Sequence, residues 1–162
     1  MIATVVLLVV LCDIVSKYLV VQLLVPLGHS VTVIPNVIDF TFVKNFGAAF
    51  GMMSNSRWIF MSVSVVFIFV LIYVLNQSYS KSKLYNISLA MILGGGIANM
   101  IDRIFVGYVV DFIEVTFIDF AVFNIADSCI TIGAVLFAVY LIFFDDAFFV
   151  KNKKGAENGT ED

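Results

Sequence analysis

Residues 1–25, MIATVVLLVVLCDIVSKYLVVQLLV, form one apolar run long enough to cross a bilayer core, which takes about 20 such residues as a helix. Asp13 and Lys17 sit inside the run, four residues apart. It has neither a basic leader nor a small-residue cleavage site, so it is expected to be a retained span and not a removed signal peptide. Three more runs of similar length follow, Trp58 to Leu75, Tyr85 to Phe105 and Phe123 to Phe144. The expected fold is therefore an all-α membrane protein of four transmembrane helices, one domain over residues 1–144, with loops at 26–57 and 106–122. Residues 145–162 are hydrophilic and are expected to form a disordered tail.

Composition narrows the function. Of 162 residues, 62% are apolar and 13% charged, and 17 phenylalanines outnumber nine lysines and arginines. Too little charge is present to coat such a chain for water, which excludes a soluble enzyme. A net charge of −3 gives no basic surface for nucleic acid, so no nucleic-acid partner is expected. One histidine and two cysteines do not make the usual structural zinc site, and neither a metal nor a cofactor is expected. Cys12 and Cys129 lie in apolar runs and read as small buried hydrophobes.

Basic residues set the orientation. Lys81, Lys83, Lys151, Lys153 and Lys154 fall on one side, against Lys44 and Arg57 on the other with Arg103 at its edge. Both termini are therefore expected in the cytoplasm and the two larger loops outside. In the first of these loops Ile38, Phe40 and Phe42 alternate with Asp39 and Thr41, a strand pattern. Pro35-Asn36 marks a turn and Val31 to Ile34 a partner strand, so a small sheet is expected on the outer membrane surface. The stretch from Gly47 to Gly51 suits either a close backbone approach or a plain flexible loop.

An ionisable side chain at the centre of a span costs roughly 2.5 to 3.5 kcal/mol on the insertion scale, so each one is a functional candidate. At about 1.5 Å per residue, Asp13 and Lys17 come about 18 and 24 Å from the cytoplasmic face, and Asn99, Asp102 and Arg103 about 21 to 27 Å. Asp127 falls in the first turns of the fourth span, entering from outside, and Asp111 in the second outer loop. The costly groups all fall in the outer half of the bilayer or just above it. Asn99 with Asp102, and Asn124 with Asp127, are i,i+3 pairs that put an amide and a carboxylate on one helical face. Asp13, Lys17, Asp102 and Arg103 suit a structural ion-pair network. Asp111 and Asp127 have too few basic neighbours to be neutralised in that way. The triplet Gly94-Gly95-Gly96, placed mid-span, is expected to let neighbouring helices approach closely.

Two carboxylates in a low-dielectric site tend to share one proton. One can then act as general base on a water while the other polarises a carbonyl and protonates the leaving amine. Ser128 and Cys129 have no histidine beside them in sequence, and His29 lies in a loop near the first span, so no other nucleophile competes. Intramembrane acids also serve proton-coupled transporters and channel subunits, but there they spread through the bilayer depth. A scaffold without chemistry needs no such cluster.

Five ordered blocks carry a resemblance to the bacterial lipoprotein signal peptidases, or signal peptidase II. Asp13-Ile14-Val15-Ser16-Lys17 resembles the family's D-x-x-[ST]-K, and Asn45-Phe46-Gly47-Ala48-Ala49-Phe50 its N-x-G-A-A-F. The run from Gly94 to Arg103, GGGIANMIDR, resembles G-G-A-x-G-N-x-x-D-R, with Gly96 where the pattern has Ala and Ala98 where it has Gly. Val109-Val110-Asp111-Phe112 and Phe123-Asn124-Ile125-Ala126-Asp127-Ser128 resemble V-V-D-F and F-N-x-A-D-S. The resemblance implies an aspartic endopeptidase of the bacterial cytoplasmic membrane with Asp111 and Asp127 as its catalytic pair. It implies supporting or substrate-binding roles for Asp13, Asn45, Asn99, Arg103 and Asn124. Asp102, another acid of the family's pattern, is assigned a structural role because it lies deeper along the third span, and Lys17 one from the ion-pair network. The implied partners are membrane lipids and prolipoproteins whose cysteine carries diacylglycerol, cut just before that cysteine at the outer face. A monomer is expected.

Overall fold

The computed structural model describes residues 1–47, 57–77 and 82–144. Most of the Gly47–Gly51 stretch, Lys81 and the expected tail with its three lysines lie outside the described residues. Four helices and three strands are present among them, in the order α1 (Ile2–Leu27), β1 (Val31–Ile34), β2 (Ile38–Asn45), α2 (Arg57–Gln77), α3 (Lys83–Phe105), β3 (Val109–Val115) and α4 (Ile125–Phe143). Each helix matches an apolar run of the sequence to within a few residues. α1, α3 and α4 are long and apolar enough to cross a membrane, while the apolar part of α2 is the shorter Met61–Gln77.

α3 is the central helix. Two thirds of its apolar window, 67%, is buried inside the protein, against 22% for α1 and 17% for α4, which present Leu7, Leu11, Leu19, Val135 and Phe143 outward. So extensive an outer surface of large apolar side chains suits hydrocarbon surroundings. Cys12 is exposed on this outer surface of α1 and Cys129 is half-buried, so the expected burial of both cysteines is corrected. A thiol serves a hydrocarbon-facing position as a small apolar group, just as it would a core.

Close approach of helices depends on missing side chains. A Cβ on Gly95 would lie 2.5 Å from the Ala126 carbonyl oxygen, and one on Gly94 would lie 2.9 Å from Val9 Cβ. Gly96, by contrast, has nothing nearer than Ile68 at 3.9 Å. Two of the three triplet glycines therefore set the approach of α3 to α4 and to α1. A Cβ on Gly133 of α4 would likewise lie 2.7 Å from the Ser88 carbonyl oxygen of α3, a role that a lone glycine in a span does not announce.

The sheet has three antiparallel strands in the order β1-β2-β3, one more than expected. Residues 109–115, read as loop, pair with β2 from Val109 opposite Asn45 to Val115 opposite Ile38. The ladder is irregular between Phe40 and Val43, and Asp111 faces Val43. Phe40 and Phe42 pack with Val20 and Leu24 of α1 and with Val110 and Phe112 of β3, which anchors the sheet on the bundle end where α1 finishes. Phe40 meets Phe112 edge-on at 5.5 Å. At the opposite end of the bundle, Leu71, Leu75, Tyr85, Leu89, Ile92, Leu93 and Tyr140 form the other apolar cluster.

Candidate active site

The polar residues dispersed through the sequence meet where the sheet sits on α1, α3 and α4. Asn124 is the residue that makes this possible. It caps α4 and does not lie on its face: its side-chain oxygen accepts the Asp127 N–H at 2.9 Å, and the Asp127 carboxylate accepts the Asn124 N–H at 3.3 Å. Reciprocal bonds of this kind satisfy two of the N–H groups a helix start leaves open. The expectation of an i,i+3 pair on one helical face is thereby corrected for Asn124, since N-x-x-D before an apolar run is also a helix-start signature. Cap geometry fixes Asp127 at the first turn and turns the Asn124 amide toward β3.

Asp111 stands on β3, buried to 1% exposure. Its Oδ1 accepts from Asn124 Nδ2 at 2.6 Å and its Oδ2 from Asn45 Nδ2, at the end of β2, at 2.8 Å. Burial pushes the Asp111 carboxyl up to about 6; the bonds from Asn45 and Asn124 and the charge of Lys17 pull it down, while the charge of Asp127 pushes it further up. Asp127 Oδ1 accepts from Asn99 Nδ2 of α3 at 2.8 Å. Asn99 Oδ1 accepts from Asn124 Nδ2 at 3.2 Å, so Asn99 and Asn124 bridge the two carboxylates.

Beneath this pair lies an ion cluster. Lys17 Nζ meets Asp13 Oδ2 at 2.6 Å, Asp102 Oδ2 at 2.9 Å and Asn99 Oδ1 at 2.9 Å. Each acid is also held by backbone, Asp13 by the Ala126 N–H at 2.9 Å and Asp102 by the Val110 N–H at 3.1 Å. The cluster therefore ties α1 to the start of α4 and α3 to β3. These backbone contacts, and the contact of Lys17 with Asn99, are not legible from residue spacing. Arg103, the fourth charge expected in the cluster, donates to the carbonyls of Asn99 at 3.3 Å and Gly47 at 3.5 Å. His29 is exposed in the turn after α1. Among the described residues, no group of three or more His, Cys, Asp or Glu side chains is arranged to hold a metal ion.

All nine residues singled out from the sequence thus come together at one end of the bundle. The family model for signal peptidase (SPase) II matches residues 5–143 of the chain. The protein belongs to the signal peptidase II family. The lipoprotein signal peptidase of Caldanaerobacter subterraneus subsp. tengcongensis is 47% identical over 135 residues, covering 83% of this chain and 91% of that one. That of Enterococcus faecalis is 37% identical over 145 residues, covering 90% and 86%. A bacterial membrane enzyme solved by the in meso method at 2.3 Å is similar in structure, with a TM-score of 0.77 and 31% identity over 87% of both chains. The family expected from the five blocks agrees with these relatives, and so does a mostly helical membrane fold.

Proposed function

We propose that this protein is an intramembrane aspartic endopeptidase that removes signal peptides from diacylglyceryl-modified prolipoproteins, cleaving just before the lipidated cysteine. The observation that carries the reading is the pairing of Asp111 and Asp127 within one amide-lined site, together with membership of the signal peptidase II family. Two carboxylates bridged in this manner share one proton: one takes the proton of an attacking water while the other polarises the scissile carbonyl. The proton then passes to the departing amine. Asn45, Asn99 and Asn124 hold the two carboxylates, Asp13 positions the start of α4, and Arg103, half-buried beside Gly47, faces the peptide. Asp102 and Lys17 are structural. No metal or cofactor takes part.

The orientation follows from the basic residues. Both termini lie in the cytoplasm, the sheet and the site at the outer face of the bacterial cytoplasmic membrane, and the enzyme works as a monomer among membrane lipids. Such a site suits a substrate whose acyl chains stay in the bilayer while its scissile bond lies at the surface. Lipid then acts by position, confining the bond to the depth of the two aspartates. The test is cleavage of a lipidated and an unlipidated prolipoprotein by the purified protein in the same nanodisc. The unlipidated form should be cut at least about tenfold more slowly, equivalent to about 1.4 kcal/mol in the barrier. Equal kcat/KM for the two substrates would remove the positioning role of the lipid, and cleavage of neither would remove the peptidase reading.

A further inference from the structure

Each of the three asparagines at the site could point either end of its amide at a carboxylate, and only the NH₂ end helps one. An amide oxygen turned toward Asp111 or Asp127 would set two acceptors against each other. What decides the direction is the group that meets the amide oxygen. Asn45 Oδ1 is held by the Gly47 N–H at 2.9 Å and Asn124 Oδ1 by the Asp127 N–H at 2.9 Å. Both are backbone donors, unable to accept. Among the described residues Asn99 has no backbone pin of that kind: its Oδ1 meets the Asn124 amide at 3.2 Å and, at 2.9 Å, the ammonium of Lys17, which carries donors only.

We infer that Lys17 is a positioning residue for the reaction, in addition to neutralising Asp13 and Asp102: by holding Asn99 Oδ1 it forces Asn99 Nδ2 onto Asp127. This rests on the two-aspartate reading given above. Lys17 is 3% exposed and its three protons are matched by Asp13, Asp102 and Asn99, so its geometry is fixed from three sides. Once that ammonium is gone, Asn99 Oδ1 keeps only the longer contact from the Asn124 amide, which is shared with Asp111, and Asn99 can turn its oxygen toward the open space left behind or toward Asp127. The second arrangement takes a donor from a catalytic carboxylate without touching substrate. The predicted signature is therefore a loss in kcat per folded enzyme with little change in KM; loss of folded protein lowers only the uncorrected rate, so normalising to the folded fraction separates the two.

The experiment is a double-mutant cycle of Lys17→Met and Asn99→Ala, with kcat, KM and folded fraction measured for each purified variant on a lipidated prolipoprotein. Lys17→Met should lower kcat per folded enzyme at least tenfold while KM moves less than threefold. In the Asn99→Ala background the same substitution should cost less than threefold more. Multiplying losses, or an unchanged kcat per folded enzyme, would overturn the inference. If Lys17→Met leaves Asp13 and Asp102 too poorly compensated to fold, the cycle is repeated in Asp13→Asn, where one of the stranded charges is gone and the Ala126 N–H still finds an oxygen. Asp127→Asn is assayed in parallel. Retained cleavage there would sink the two-aspartate reading, whereas the Lys17–Asn99 coupling is judged from the cycle alone.

Discussion

The two ends of the bundle are held by different physics. At the end where α1 begins, Leu71, Leu75, Tyr85, Leu89, Ile92 and Leu93 pack around Tyr140, and contact depends on volume. At the end where the sheet sits, Asp13, Lys17, Asn99, Asp102, Asp111 and Asn124 are buried together, and stability depends on every donor finding its acceptor. An apolar core tolerates substitutions of similar shape. A buried polar network does not, because each unmatched group costs its full desolvation. On the proposed function, chemistry is concentrated in the end that is harder to alter, and the apolar end holds the helices at the spacing the site needs.

The contrast can be broken most severely where the two ends share a helix contact. Gly95→Leu should leave no folded enzyme, since even a Cβ there would lie 2.5 Å from the Ala126 carbonyl in the first turn of α4. Size-exclusion elution and proteolysis in detergent check this, and a normal folded protein would contradict the close approach. Leu89→Ala, in the apolar cluster, should cost about 2 to 5 kcal/mol in stability. Its kcat per folded enzyme should stay within twofold of the parent, and a large fall would mean that the apolar end also tunes the site.

Acidity sharpens the contrast at the sheet end. Burial holds the Asp111 carboxyl at about 6, so its proton leaves the folded enzyme as pH rises through that point. If the pair must keep one proton, kcat/KM falls with rising pH, approaching about tenfold per unit. The same sign holds for stability. A carboxyl raised in the fold contributes stability that is full below its unfolded value and lost as pH rises through about 6, so melting temperature should climb on acidification from about 7.5 to 5.5. A kcat/KM that rises over this window would contradict the assignment. The smallest expected effect is Gly96→Ala: with its nearest neighbour at 3.9 Å, the change should shift stability by less than about 1 kcal/mol.

Most of this architecture was legible in the sequence because a membrane span needs only length and apolarity. The four runs, and the first two strands with their alternation, carried their own signals. β3 did not. Val109, Val110, Asp111 and Phe112 are all buried, so the strand is covered on both faces and shows no alternation of buried and exposed positions. Gly133 was silent for a similar reason, since only the Ser88 carbonyl opposite it reveals its use. Within the site, residue identities were legible, because an acid or amide inside a span is costly enough to need a reason. Their partners were not: Lys17 reaches Asn99 across 82 positions, and the Ala126 N–H reaches Asp13 across 113.

The central claim is that Asp111 and Asp127 together perform the cleavage, while Asp102 close by holds the structure. Its most direct test is single-turnover cleavage of a lipidated prolipoprotein by purified Asp111→Asn, Asp127→Asn and Asp102→Asn, each corrected for folded fraction. Asparagine keeps the shape of aspartate but neither takes a proton from water nor delivers one. The account predicts no detectable cleavage by the first two variants, which elute as folded protein, and a less stable Asp102→Asn enzyme that still cuts. Appreciable cleavage by either of the first two, or a stable and inactive Asp102→Asn, would contradict it.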